Sequence, residues 1–232
     1  MVLISTIDSI GTIQYHCQEK LHNELGRMQR TARTTRRNTT KARIQDVALE
    51  LFLEHGYQGA SLEAIVAKAG GSRRNIYELF GNKEGLFVAC IEGLSQDLLG
   101  KLNGIELRQE APQAVLTQIG TVFLQAMTSA KMLSAFRLAI GTVGTVAGIG
   151  EHLYRAGPAV AYEVVASYLQ TQDSAARRDS REIARDAVHF VEMVKGDIFL
   201  HALLCPEFTP SERQIVSHVQ QTVQDFLRMQ QV

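Results

Sequence analysis

Two adjacent glycines, Gly70 and Gly71, separate two short helix-forming runs, and this turn constrains the fold more than any other feature of the chain. Glycine reaches positive φ without strain, so the pair permits a reversal that other residues resist. Before the turn, Ser61 stands where an N-cap belongs and Glu63 falls in the first helical turn, where the helix dipole favours an acid. Leu62, Ile65 and Ala69 give that helix an inward face. After the turn, Ser72 caps a second run in which Ile76, Leu79 and Phe80 face inward, which turns Arg73, Arg74 and Asn75 outward. Asn82 caps a further helix with Leu86, Phe87, Cys90, Ile91 and Leu94 on its buried stripe. Upstream, Ile44, Val47, Ala48, Leu51 and Phe52 recur at helical spacing, with Thr39 or Thr40 available as N-cap and Gly56 as a left-handed C-cap.

Two short helices joined by a glycine turn, the second basic at its start, form a unit that can place a helix in a DNA major groove. Arginine pairs bidentately with guanine and asparagine with adenine, so Arg73, Arg74 and Asn75 are the candidates for reading bases. Ser61, Ser72, Tyr77 and Lys83 offer hydroxyl or ammonium groups to phosphates, and the helix N-termini add backbone N–H donors. Arg36, Arg37 and Lys41 extend the basic set upstream. Charged pairs on a helix are usually solvated surface, and a tyrosine such as Tyr77 is often core. The place of these residues, directly after the turn, favours DNA contact.

The segment resembles the DNA-binding domain of the TetR (tetracycline-repressor) family of bacterial transcriptional regulators. The matching stretches are ALELFLEHGYQGASL, AGGS and IYELFGNKEGLF, between Ala48 and Phe87, and the resemblance extends over residues 41 to 101. Tyr77-x-x-Phe80 and the following Lys83-Glu84-x-Leu86-Phe87 are its most specific parts. Val66 departs from the usual Ala, and Gly71 from the usual apolar Val, which removes a packing side chain between the two helices. The resemblance implies that the helix beginning near Arg73 is the recognition helix, that Lys83 contacts phosphate, and that the protein represses.

The formal net charge is zero, but it is unevenly placed: Met28 to Lys83 holds ten Lys and Arg against five Asp and Glu. Phosphates feel this local excess rather than the total. The three cysteines, Cys17, Cys90 and Cys205, share no metal-ligand spacing and fit a reducing cytoplasm, with Cys90 an inert core thiol. No two histidines stand at i, i+3 or i, i+4, so neither a metal site nor a cofactor is expected. No apolar run approaches the roughly 18 residues of a membrane span, and no signal peptide opens the chain. A cytoplasmic protein follows as the expectation.

Three regions are expected: an N-terminal extension over 1–38, a helix-turn-helix domain over 39–101 and a helical bundle over 102–232, making an all-α protein. In the extension, Ile13, Cys17, Leu21 and Leu25 have the spacing of one short helix, and Arg27 to Thr40 is a basic arm. The arm either reaches DNA or is a solvated tail, and Met28 is an alternative start. In the bundle, apolar positions run through Val115, Ile119, Val122, Phe123, Ala126 and Met127, then Met132, Phe136 and Ile140. Helices are expected over Pro158–Gln170 and Ser180–Leu204, with a polar break over Asp173–Asp179 between them. A last helix opens with Thr209 as cap, Pro210 in first position and Glu212 completing a capping box.

Two long amphipathic helices at the chain's end suit a homodimer, and a two-fold dimer reads a palindromic double-stranded operator. The middle helices would enclose a pocket for a mostly apolar small-molecule effector. Its candidate lining is Phe123, Met127, Phe136, His152, Tyr154, Tyr162, Phe190 and Met193, though the same residue types also build ordinary core. A ligand-independent or activating protein whose second domain only dimerises is the alternative. Gly141 to Gly150 is rich in glycine but lacks the spacing and the Lys-Ser/Thr of a phosphate loop, so it marks close helix packing or a helix break rather than an enzyme site. An architectural DNA binder has no use for some 130 residues of neutral-to-acidic bundle.

Overall fold

A computed structural model describes residues 38–105, 111–146, 148–172 and 178–230. The expected helix over 13–25, the basic arm as far as Arg37, and residues 173–177 of the polar break lie outside them. The chain divides into residues 1–44 and 45–232. Of the first unit, residues 38–44 are described, and they are helical. The second is built from helices, and no strand occurs among the described residues. The fold is all-α, a helix-turn-helix followed by a C-terminal helical domain.

Helix α1 spans residues 38–59. Thr39 and Thr40 lie inside it rather than capping it, because the helix is already running at residue 38. Gly56 does take positive φ, at 72°, but helical bonding continues past it, with the Ala60 N–H donating to the Gly56 carbonyl at 3.2 Å. Then come α2 (Leu62–Ala69), α3 (Arg73–Phe80) and α4 (Lys83–Asn103). All three start on the caps their sequences carry: Ser61 accepts from Ala64 N–H, Ser72 from Asn75 N–H and Asn82 from Gly85 N–H. Phe52, Tyr57 and Phe87 pack together here, with ring centroids 5.2–5.8 Å apart.

Helices α5 (Pro112–Met127), α6 (Ala130–Val143), α7 (Ile149–Ala156), α8 (Pro158–Gln170), α9 (Ser180–Leu204) and α10 (Glu212–Met229) complete the bundle. Its core joins Leu98 and Leu102 of α4 to buried faces of α5, α8, α9 and α10, including the edge-to-face pair Phe190 and Phe226 at 5.1 Å. Gly120 of α5 lets α9 and α10 come close: a Cβ there would lie 2.8 Å from Val219 and 3.3 Å from Val194. Asp186 is buried and held by Arg178 and by Gln230, which ties the end of α10 to α9. Arg137 of α6 forks onto the last turn of α9, donating to the Ala202 and Leu203 carbonyls at 2.8 Å each. Those carbonyls have no partner inside the helix, so a cation meets both the orphan acceptors and the negative dipole end.

One more local expectation is corrected, and one pair of alternatives is decided. The last helix is capped by Ser211, not Thr209, and its capping box closes with Gln214 rather than Glu212. The Ser211 N–H donates to Gln214 Oε1 at 2.9 Å and the Gln214 N–H to Ser211 Oγ at 3.3 Å. The two overlapping signatures compete, and only this one satisfies both orphan donors, which leaves Pro210 ahead of the helix. The glycine stretch is a helix break: α6 ends at Val143, Gly148 has φ 75°, and nothing lies within 4 Å of a Cβ built at Gly141, Gly144 or Gly148. Close packing is therefore not its role.

Helix α9 carries a kink that its sequence pattern hides. Gly196 has φ 47° and ψ −154°, outside helical space. The ladder breaks there, and His218 of α10 places Nε2 3.2 Å from the Met193 carbonyl and 3.0 Å from the Val194 carbonyl. Carbonyls only accept, so the Nε2–H tautomer is the one that bonds. A Cβ at Gly196 would meet His218 Cε1 at 2.7 Å. Gly196→Ala therefore combines a disfavoured φ with a clash, and should destabilise the fold by about 2–4 kcal/mol. A thermal melt should register a drop in Tm on the order of 5–10 °C. An unchanged melting curve would show that α9 straightens without cost.

Candidate nucleic-acid interface

The turn and α3 set the site's geometry. Gly70 has φ 75° and Gly71 φ 96°, so both positions demand glycine. The departure at Gly71 thus costs a packing side chain but supplies a backbone that a valine would resist. In α3, Ile76 is buried, Leu79 and Phe80 are half-buried, and Arg73 and Arg74 are exposed. Tyr77 is 49% exposed, which rules out the core role. Ser61 and Ser72 are exposed while capping their helices.

The candidate contacts on α3 have partners within the chain. Arg73 pairs with Glu63 of α2 at 2.7 Å, and its pKa is raised by the hydrogen bond to Tyr77 and then by the Glu63 charge. Arg74 pairs with Glu78 at 2.6 Å, one turn along α3. These pairs are solvent-exposed, a class contributing about 0–1 kcal/mol, so they hold the side chains in place and exchange readily for a phosphate or a base. Asn75 and Ser72 form a reciprocal pair: the Asn75 N–H donates to Ser72 Oγ at 3.2 Å, and Ser72 Oγ–H donates to Asn75 Oδ1 at 2.7 Å. Asn75 is thus part of the cap of α3, a role the pattern of exposed residues did not reveal.

Lys83 sits differently from the expectation of a free phosphate contact. It is half-buried, donates to the Gln58 carbonyl at 3.3 Å and lies 4.8 Å above the Tyr57 ring. Burial lowers its pKa. It locks the start of α4 onto the end of α1 while standing at a helix N-terminus. Lys41 is exposed on α1. Arg36 and Arg37 lie outside the described residues. Cys90 is buried, and burial pushes its thiol up to about 12, in keeping with an inert core thiol.

Helix α4 runs unbroken for 21 residues from this unit into the bundle. Its first turns pack Leu86 and Phe87 among the aromatics. One to three turns on, Ile91, Leu94, Ser95 and Leu98 line a cavity of about 260 Å³. Ser95 Oγ–H also reaches the Ala156 carbonyl at the end of α7, so the α4 wall is tied to α7. Of the sequence-predicted lining, Phe123, Met127, Phe136, Tyr154 and Tyr162 face this cavity. The other three do not. Phe190 is packed on Phe226 in the core, His152 is exposed with Nδ1 on the Gly148 carbonyl, and Met193 is half-buried beside the kink. Pattern reading missed Lys195, which lines the cavity and bonds Glu192 at 2.7 Å. Its signal was a lone charge on the stripe of Val191, Val194 and Ile198. Among the described residues, no cluster of His, Cys, Asp or Glu could hold a metal, and no helix is long and apolar enough to cross a membrane.

Residues 44–90 match the family model described as bacterial regulatory proteins, tetR family. Residues 114–230, half the chain, match that of the AefR-like transcriptional repressor C-terminal domain. The HTH-type transcriptional regulator YezE of Bacillus subtilis is 32% identical over 82 residues, 35% of this chain and 41% of that protein. The HTH-type transcriptional repressor SCO4008 of Streptomyces coelicolor is 41% identical over 59 residues, 25% of this chain and 31% of that protein. The chain thus spans well under half of the curated relatives it matches. Among solved structures, a TetR-family transcriptional regulator from Mesorhizobium loti aligns with TM-score 0.72 at 21% identity, covering 84% of this chain and 98% of that one. The flavonoid-responsive regulator FrrA aligns with TM-score 0.68 at 24% identity, covering 83% and 97%. At these identities the structures speak for the fold alone.

Proposed function

The chain belongs to the TetR family of transcriptional regulators, a class without enzymatic activity, and on that premise we propose a homodimeric repressor that a small molecule releases from its operator. The supporting observation is the Arg73-Arg74-Asn75 start of α3, its two arginines exposed, held behind the Gly70-Gly71 turn on a helix pair that leads through α4 to an apolar cavity. Residues 39–101 act as the DNA-binding domain and 102–232 as the effector and dimerisation domain, preceded by an extension over 1–38. Arg73, Arg74 and Asn75 read bases. Ser61, Ser72, Tyr77, Lys83 and Lys41 hold phosphates, and Arg36 and Arg37 reach the backbone from the arm. Two copies related by a two-fold axis pair through α9 and α10, on which Leu200, Leu204 and Met229 are exposed, and read a palindrome in the cytoplasm with their two α3 helices. SCO4008 and ComR, both named repressors, support repression rather than activation.

The operator is found by retaining sheared genomic DNA on the purified protein and sequencing it. Recovery of a few loci sharing a palindrome supports the proposal, and recovery in proportion to DNA abundance contradicts it. On that operator, Lys83→Ala should weaken binding to specific and nonspecific duplexes alike and flatten the log-log salt slope by about one. A fall in affinity with the slope unchanged would mean that Lys83 acts by holding Gln58 and Tyr57, not by touching phosphate.

Release requires that the effector bind one dimer geometry better than the other. Helix α4 is the lever, since it carries the aromatic support of the DNA-binding unit at one end and a cavity wall at the other. Coupling of about 1–3 kcal/mol is expected, and it is reciprocal. Operator DNA should weaken effector binding by the factor by which effector weakens operator binding, measured by titrating each ligand with the other absent and saturating. Independent titrations would assign the bundle to dimerisation only.

A further inference from the structure

The cavity's lining is hydrocarbon and aromatic but for a few polar side chains. Four lining residues carry side-chain polar atoms: Ser95, Tyr154, Tyr162 and Lys195. Ser95 is occupied by the carbonyls of Ile91 and Ala156. Tyr162 and Lys195 converge on a single oxygen: Tyr162 donates to Glu192 Oε1 at 2.6 Å, and Lys195 Nζ lies 2.7 Å from the same atom. Glu192 itself is not part of the lining. Lys195 and Tyr162 thus border the cavity, and Glu192 bonds both of them from outside its lining.

From this arrangement, and resting on the reading of the cavity as the effector site, we propose that the effector is an apolar molecule bearing one carboxylate, bound with its acid group on Lys195. An ammonium carries three N–H donors, and Glu192 takes one, so Lys195 can hold a second acceptor. Its side chain is 20% exposed, shielded enough that an anion there is screened less than at the surface, whereas Glu192 is 46% exposed and gives up its share of the pair cheaply. Tyr162 keeps its one O–H on Glu192, which leaves Lys195 as the donor for the acid. A cationic ligand would meet Lys195 as a like charge among apolar walls. The hydrocarbon part lies between Phe123, Met127, Leu98 and Phe136. Ile140, Val143 and Tyr154 line the same cavity while more than half exposed, which makes the entrance apolar too.

Three ligands with one skeleton test the charge requirement: 4-phenylbutanoate, 4-phenylbutan-1-ol and 4-phenylbutan-1-amine, each displacing the neutral dye N-phenyl-1-naphthylamine from the full chain. The acid should bind at least about tenfold tighter than the alcohol, and the amine weakest, as charge-assisted hydrogen bonds imply. Lys195→Met should bring the acid-to-alcohol ratio toward one, with retained dye binding showing that the variant is folded. Equal affinities, failure of all three to displace a bound dye, or an acid preference that survives Lys195→Met would overturn the carboxylate inference while leaving the effector site standing. Failure of the dye to bind the unmodified chain would overturn both.

Discussion

Gly85→Ala should abolish specific DNA binding. Gly85 lies in the first turn of α4, its N–H bonded to the Asn82 cap at 2.7 Å. A Cβ there would fall inside contact distance of the Phe80 carbonyl oxygen, the last residue of α3. That neighbour is backbone, not the end of a flexible side chain, so the α3–α4 junction itself must move. Opening it disturbs Phe87 and tilts α3 away from the pose in which Arg73 and Asn75 point outward. A loss of about 3 kcal/mol or more in stability is expected, within the range of severe backbone clashes. Operator affinity should fall further than the melting temperature alone explains, because a misplaced recognition helix loses contacts even in the folded fraction. Titration of operator at fixed salt, beside a thermal melt, separates the two. Retained wild-type affinity would show that the junction is more pliable than its geometry indicates.

Arg73→Ala should be the most damaging single change at the DNA surface itself. One bidentate arginine–guanine contact is worth about 1–3 kcal/mol of discrimination, and a homodimer loses two of them per operator. In the free chain Arg73 gives up an exposed pair with Glu63 and a surface hydrogen bond to Tyr77, so most of the loss should appear in binding and little in stability. Asn75→Ala is different. It removes an adenine contact and also the Asn75 Oδ1 partner of Ser72, so part of its effect should appear as a lower melting temperature. If Arg73→Ala left base preference intact while lowering all affinities, Arg73 would be a phosphate contact.

How much was legible depends on whether a signal is local. Ser61, Ser72 and Asn82 cap their helices as read, because a cap bonds an N–H only three residues on. The bounds Pro158–Gln170 and Ser180–Leu204 came from proline, polar breaks and apolar spacing, which are also local. The Gly196 kink was not legible, since it depends on His218 arriving from another helix. Thr209 lost to Ser211 because two capping signatures overlap by two residues and only geometry selects one. The cavity divides in the same way. Phe123, Met127, Phe136, Tyr154 and Tyr162 face it, while Phe190 fills core, because residue type tells which face of a helix is buried but not whether a void or a neighbour lies against it. Lys195 was missed for the converse reason: a search for apolar lining passes over a charged side chain that borders the cavity.

The most direct test of recognition by paired α3 helices is a footprint on the operator recovered from genomic DNA. Two protected half-sites related by a dyad are predicted, with centres one helical turn apart, about 34–36 Å, or a multiple of it. Both should vanish together in Arg73→Ala at a concentration that saturates the unmodified protein. A single protected site, or a paired footprint that Arg73→Ala leaves unchanged, would contradict the assignment of α3 as the recognition helix of a two-fold dimer.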